Sequence, residues 1–184
     1  TFPALSETFI LHQMTGMLDM GHDVQIISFH RPHEDIAHPQ VEEYDLLDRT
    51  YYIDMPTTRP GLLRAAPAAC AKLLTRHPSH LFPAVRVMQK SAGFPRPSAL
   101  IATARLLKPL ANCDIVHCHF GPNGLRALPA TSAAQKPLVV TFHGYDVGKY
   151  TQSHGSEVYA KLLRHGAAFM CVSDYLCDQL LRLG

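Results

Sequence analysis

From Arg59 to Lys108 the sequence has no aspartate or glutamate, while Arg64, Lys72, Arg76, Arg86, Lys90, Arg96 and Arg105 all fall within it. A solvated helix face accounts for such a stretch on its own. The other reading is an anionic partner, such as a phospholipid surface or a phosphorylated acceptor. Over the whole chain the imbalance shrinks to a formal net charge of +2, too small to argue for nucleic acid. Five cysteines (Cys70, Cys113, Cys118, Cys171 and Cys177) form no CxxC pair and leave one odd. That pattern suits small thiols in a reducing cytoplasm better than a disulfide frame. No run approaches the roughly 18 apolar residues of a membrane span. No signal peptide opens the chain, and neither fixed-period repeats nor low-complexity tracts occur in it.

What is present reads as one globular domain over residues 1–184, with 47% hydrophobic and 17% charged residues and length enough for a real core. Ser6 is expected to cap a helix through "ETFILHQMTGMLDM", with Phe9, Ile10, Met14, Met17 and Leu18 on one face and Gly21 at its end. "DVQIISF" has the continuous apolar core of a buried parallel strand, and "TYYIDM" reads as a shorter one. From Gly61 to Asn112 the text is helical but punctuated by Pro67, Pro78, Pro83, Pro95 and Pro97, which predicts two or three helices with kinks or loops. Ser98 is the expected cap of "SALIATARLLKPLA". After it, the strands "DIVHCHF", "PLVVTFH" and "AFMCVS" alternate with helices, and "GYDVGKYTQSHG" reads as a polar loop. The class is therefore α/β: a doubly wound, mainly parallel sheet covered on both faces. The chain opens on a loop and helix with no strand in front, which is expected to mean that a first strand is missing and the chain is a fragment.

In such a sheet ligands lie beyond the carboxyl ends of the strands, where the strand order switches. Those ends carry Phe29 and His30, then His117, His119 and Gly121, then His143, Gly144, Tyr145 and Asp146, then Ser173 and Asp174. The loop with Ser6, Glu7 and Thr8 is expected on the same rim. His117 and His119 share one face of a strand because side chains alternate with period two. With His143 they can be read as zinc ligands, but no HExxH motif and no Cys-rich spacing accompanies them, and only Asp146 and Glu7 are offered as carboxylates. For His117 a hydrogen-bonded core histidine is the plainer reading. His119 and His143 stand beside glycine-containing turns, where backbone can approach a ligand and imidazole can exchange a proton near neutral pH. Asp146 can bind sugar hydroxyls, fix an imidazole, or simply cap its turn.

Taken in order, "FPALSETFILHQMTGMLDMGHDVQIIS", "DIVHCHFGPNG", "VVTFHGYDVGKY" and "FMCVSDYLCDQLLRLG" resemble the N-terminal half of family-four glycosyltransferases, with the nearest likeness to bacterial enzymes of colanic-acid and exopolysaccharide assembly. The resemblance implies a GT-B architecture of two Rossmann-like domains. This chain would be the N-terminal, acceptor-side domain, without the C-terminal domain that holds the nucleotide-sugar donor. It further implies transfer with retention and without a catalytic metal or other cofactor. Carried over by motif, His119, His143 and Asp146 would be catalytic. Ser6, Glu7, Thr8, Phe120, Gly121, Gly144, Tyr145, Ser173 and Asp174 would bind substrate. The basic helices point to a glycan or polyprenyl-diphosphate-linked acceptor, expected in the cytoplasm at the inner face of an anionic membrane. Two other readings stay open from the residues: a metal-dependent hydrolase built on His117, His119 and His143, and a non-catalytic sugar- or nucleotide-binding module of the same fold.

Overall fold

The structure is a computed structural model that describes residues 1–32, 38–76, 78–89, 96–166 and 168–183. These gather into two compact units, Thr1–Pro56 and Thr57–Gly184, each with its own parallel sheet. The single sheet read from the sequence is thus seen as two ladders.

In the first unit, α1 (Thr8–Asp19) leads to β1 (Ile26–Ser28), α2 (Pro39–Glu43) and β2 (Thr50–Tyr52). Ile26, Ile27 and Ser28 pair in parallel with Thr50, Tyr51 and Tyr52. Leu11, Ile26, Val41 and Leu46 form the core, with Met14 and Leu18 packed against it. The expected stripe is therefore rotated. Leu11 and Thr15 are the buried residues of α1, and Phe9 is 44% exposed. Ser6 does not cap α1. Glu7 holds the cap position without a side-chain hydrogen bond, and its carbonyl accepts from the N–H groups of Ile10 and Leu11. Gly21 ends the helix at φ +83°, where a Cβ would be strained. Tyr52 donates its hydroxyl to the Phe2 carbonyl at 3.1 Å, which ties the N-terminal loop to the carboxyl end of β2.

The second unit opens with three helices, α3 (Arg59–Arg76), α4 (Pro78–Gln89) and α5 (Pro97–Leu110). Pro67 and Pro83 sit inside helices instead of breaking them, while Pro78 and Pro97 are the first residues of α4 and α5. Pro95, another expected break, lies outside the described residues. Ser98 is not the cap of α5: Arg96 is, in the extended conformation that a following proline imposes, with Pro97 preset at the first helical position.

β3 (Val116–His119), α6 (Gly121–Ala134), β4 (Leu138–Phe142), α7 (Thr151–His154), α8 (Ala160–His165), β5 (Ala168–Cys171) and α9 (Asp174–Leu181) follow. The expected polar loop is largely helical, with a wide turn over Asp146–Tyr150 running into α7. The strands pair in parallel in the order β3-β4-β5, with no reversal among them. His119 stands opposite Thr141, and Phe142 opposite Cys171. Leu138, Val140 and Phe142 point into a core with Ala127 and Leu128 of α6, Leu162 of α8 and Leu180 of α9. Burying each large aliphatic or aromatic side chain of that set is worth about 1.5–3 kcal/mol. The opposite face is not fully covered, contrary to the expectation for a parallel sheet. His117 and His119 are half-buried there, and Met170 on β5 is 52% exposed. All five cysteines are free thiols. Among the described residues no helix is long and apolar enough to cross a membrane.

α6 begins at Gly121, which leaves no room for a side chain. A Cβ there would lie 2.5 Å from Tyr159 Cε1 and 2.7 Å from Phe142 Cε1, while one at Gly144 would meet nothing within 4 Å. Gly121→Ala should cost about 1–3 kcal/mol, and Gly144→Ala should change stability by less than about 0.5 kcal/mol. Urea denaturation of the two variants side by side checks the contrast.

Candidate functional site

Because β3, β4 and β5 run parallel, the segments after each of them emerge at one edge of the second sheet. That edge brings His119, Phe120 and Gly121 together with His143–Asp146 and with Ser173 and Asp174. Period-two alternation sends Val116 and Cys118 into the core and turns His117 and His119 to the other face.

The three imidazoles meet there. His117 and His119 stack with ring centroids 4.8 Å apart and planes 23° from parallel. His119 Nδ1 lies 3.4 Å from His143 Nε2, a hydrogen bond in which one ring donates and the other accepts. Phe120 covers the far side of His143 at 4.5 Å between centroids. His117 Nε2 bonds the hydroxyl of buried Thr141 at 2.7 Å, so the ring is hydrogen-bonded as the plainer reading expects, but it is half-buried on the face away from the core. Phe120 reaches His143 from a backbone at φ +70°, ψ 132°, a region strained by about 1–3 kcal/mol for a residue with a side chain. The Phe120 N–H, donating to Thr141 O at 2.9 Å, and Asn123 Nδ2, donating to His119 O at 2.9 Å, hold it there.

Asp146 is close but faces another way. Its side chain is fully buried, and Oδ2 accepts the His143 backbone N–H at 2.8 Å while its own N–H donates to His143 O at 2.9 Å. The carboxylate thus closes the turn beneath His143 and is not presented to solvent. Oδ1 has no well-formed hydrogen bond among the described residues, although the Gly121 N–H at the start of α6 lies near enough to favour the charge. Desolvation still raises the Asp146 pKa above the usual carboxylate range, against the opposing pull of the His143 and Gly121 N–H groups.

Burial also decides the state of the imidazoles. It lowers all three pKa values, that of His119 to about 4, with further lowering from His117 and His143. At neutral pH the cluster is uncharged. It can exchange hydrogen bonds with hydroxyl or phosphate oxygens, but it supplies no positive charge. No group of three His, Cys, Asp or Glu side chains among the described residues is arranged to hold a metal ion.

The remaining predicted residues are placed as follows. Gly144 and Tyr145 are exposed on the turn, with the Tyr145 ring 5.9 Å from that of Tyr150. Ser173 caps α9, accepting from the Leu176 N–H at 3.3 Å, and Asp174 is exposed in the first turn. Ser6, Glu7 and Thr8 belong to the first unit. There Ser6 and Thr8 are exposed, and Glu7 is half-buried with its pKa raised by desolvation. Its neighbours Phe2, Leu11 and Val41 line a small cleft with it.

Three supporting residues escaped the sequence reading. Thr141 was legible in principle, since "LVVTF" alternates and its register sets it beside His119. Asn123 stood in the quoted motif as an ordinary loop residue. Tyr159 gave no signal at all; it lies 13 residues beyond Asp146, donates its hydroxyl to the Asp146 carbonyl at 3.4 Å, and meets Phe142 edge-on.

A parallel α/β unit with a polar rim at the carboxyl ends of its strands fits a Rossmann-like domain. The sequence profile of Glycosyltransferase Family 4 matches residues 6–184, and the chain belongs to that family. It is 29% identical to the glycosyltransferase WcaL of Salmonella typhimurium and 28% identical to WcaL of Escherichia coli, both named for colanic acid biosynthesis. It is also 28% identical to AmsK of Erwinia amylovora, named for amylovoran biosynthesis. Each match covers 100% of this chain but 45%, 45% and 46% of the relatives, so the chain spans under half the length of the relatives it matches. No solved structure matches it significantly.

A sign follows for pH dependence. A ring whose folded pKa lies below its unfolded 6.5 stabilises the fold fully above about pH 6.5, and that contribution is lost as pH falls toward about 4. Asp146 acts in the opposite sense: its raised folded pKa adds stability below the ordinary carboxylate value, and this fades as pH rises through the folded one. The net acid effect is expected to be destabilising, since three imidazoles oppose two carboxyls, Asp146 and Glu7. His119→Asn should shrink the fall in Tm between about pH 7 and about pH 4.5, and thermal melts at the two pH values check it.

Proposed function

We propose that this chain is the acceptor-side half of a retaining glycosyltransferase that moves a sugar from a nucleotide-sugar donor to a glycan or lipid-linked acceptor in exopolysaccharide assembly. Membership of Glycosyltransferase Family 4 and the relatives named for colanic acid and amylovoran biosynthesis support it. The observation that carries the site assignment is the uncharged His119–His143 pair at the carboxyl edge of the parallel strands.

In this reading the rest of the enzyme holds the donor, and no metal or other cofactor takes part. As the nucleoside diphosphate leaves, the sugar passes through an oxocarbenium-like state and the acceptor hydroxyl gives its proton toward the departing phosphate. What this half supplies is position. His143 hydrogen-bonds the donor sugar, and His119 fixes the ring that does so. Asp146 acts by holding the turn, its buried carboxylate accepting the His143 N–H. Phe120, Gly121, Gly144 and Tyr145 border the reacting sugars. Ser173 and Asp174 add substrate contacts along this rim.

The acid-free helices support a membrane-linked acceptor, such as a polyprenyl-diphosphate-linked glycan met at the cytoplasmic face. Arg59, Arg64, Arg86, Arg96 and Lys108 are exposed on them. So are Leu63 at 66% and Phe82 at 76%, giving apolar contacts beside the basic ones. Peripheral binding to anionic vesicles that weakens with salt is the expected result of co-sedimentation.

In the full-length enzyme His143→Ala should lower kcat/KM about 100-fold or more while unfolding free energy changes by less than about 1 kcal/mol. A steady-state transfer assay paired with a denaturation curve measures both. Unchanged specific activity with a large loss of stability would mark His143 as structural and sink the assignment. Residues 1–184 alone should show no transfer.

A further inference from the structure

The Thr141 hydroxyl has a specific use. It is buried on β4 at 8% exposure, the strand register places it beside His119, and yet it bonds His117 at 2.7 Å. A valine would fill the same space, so packing alone does not call for an oxygen there. His117 in turn stacks on His119 at 4.8 Å, and His119 meets His143 at 3.4 Å. The series Thr141, His117, His119, His143 is an unbroken run of hydrogen bond, ring stack and hydrogen bond from a buried strand position to the rim.

We infer that Thr141 and His117 are positioning residues: the buried hydroxyl locks the His117 ring, and that ring is the floor that holds His119 in its single-proton hydrogen bond with His143. Each link has a physical reason. An imidazole hydrogen-bonded through one nitrogen is fixed in plane and in tautomer, as with outer-shell partners of other functional histidines. A ring fixed in plane gives its stacked neighbour one favoured orientation. The His119–His143 contact can hold only one proton between its two nitrogens, so rotation of either ring breaks it. The titratable groups around this run are His117, His119 and His143 themselves and Asp146 under the His143 turn; Phe120 and Asn123 supply contacts without charge.

The catalytic consequence rests on the glycosyltransferase reading, but the structural test does not. In the full chain labelled with ¹⁵N-histidine, the two ring-nitrogen resonances of His119 and His143 should be well separated at neutral pH, as for fixed tautomers. Thr141→Val, which keeps shape and loses the hydroxyl, should draw them toward averaged positions at unchanged Tm, and Thr141→Ser should restore them. In the full-length enzyme the same valine variant should lower kcat about 10-fold with KM within about 2-fold, and serine should recover it. A folded Thr141→Val whose His119 and His143 resonances stay in place overturns the inference, as does a serine variant that fails to restore them. Should the valine variant not fold, His117→Ala at its half-buried position tests the same link: unmoved His119 resonances overturn the inference, and averaged ones support it. If the wild-type enzyme shows no sugar transfer while the spectra behave as expected, the functional reading fails and the positioning role stands.

Discussion

The parallel pairing of β3 with β4 is the constraint from which the rest of the rim follows. Its register sets His119 against Thr141, and alternation then forces His117 and His119 to one face while Val116 and Cys118 enter the core. Had the pairing slipped by one residue, the imidazoles would have been driven against α6 and the valines outward. The apolar packing of Leu138, Val140 and Phe142 against α6 makes that slip costly. Core and site are thus two faces of one ladder.

Depth then sets the chemistry. Half-burial keeps three neighbouring imidazoles uncharged at neutral pH, which lets them stack and hydrogen-bond instead of repelling. A buried carboxylate accepts the His143 N–H, and the ring of a strained Phe120 packs against its imidazole. Such an assembly directs hydrogen bonds well and neutralises phosphate charge poorly.

Much of the architecture was legible before any coordinates. All five strands fall inside the segments read from apolar runs, because a buried parallel strand leaves a continuous hydrophobic core in the text. The helix caps were less legible. Ser6 and Ser98 looked like caps by residue type, yet Glu7 and Arg96 occupy those positions, since the following chain geometry and Pro97 outweigh cap preference. The stretch after His143 read as a polar loop because its apolar residues are sparse, and it became helical by packing Val147 and Tyr150 against the core. At the site, His119 and His143 stood out as polar residues at strand ends. Asp146 stood out too, but nothing in one dimension told a carboxylate facing the cleft from one folded under its own turn.

By itself the sequence determined the parallel α/β class, the order of its strands and helices, and which residues stand where the strands end, because period and punctuation encode these locally. Only the tertiary structure decided that Thr141 reaches His117, that His119 and His143 share a hydrogen bond, and that Asp146 turns inward. Those outcomes depend on register and burial, which arise between segments distant in the chain and leave no mark within either one.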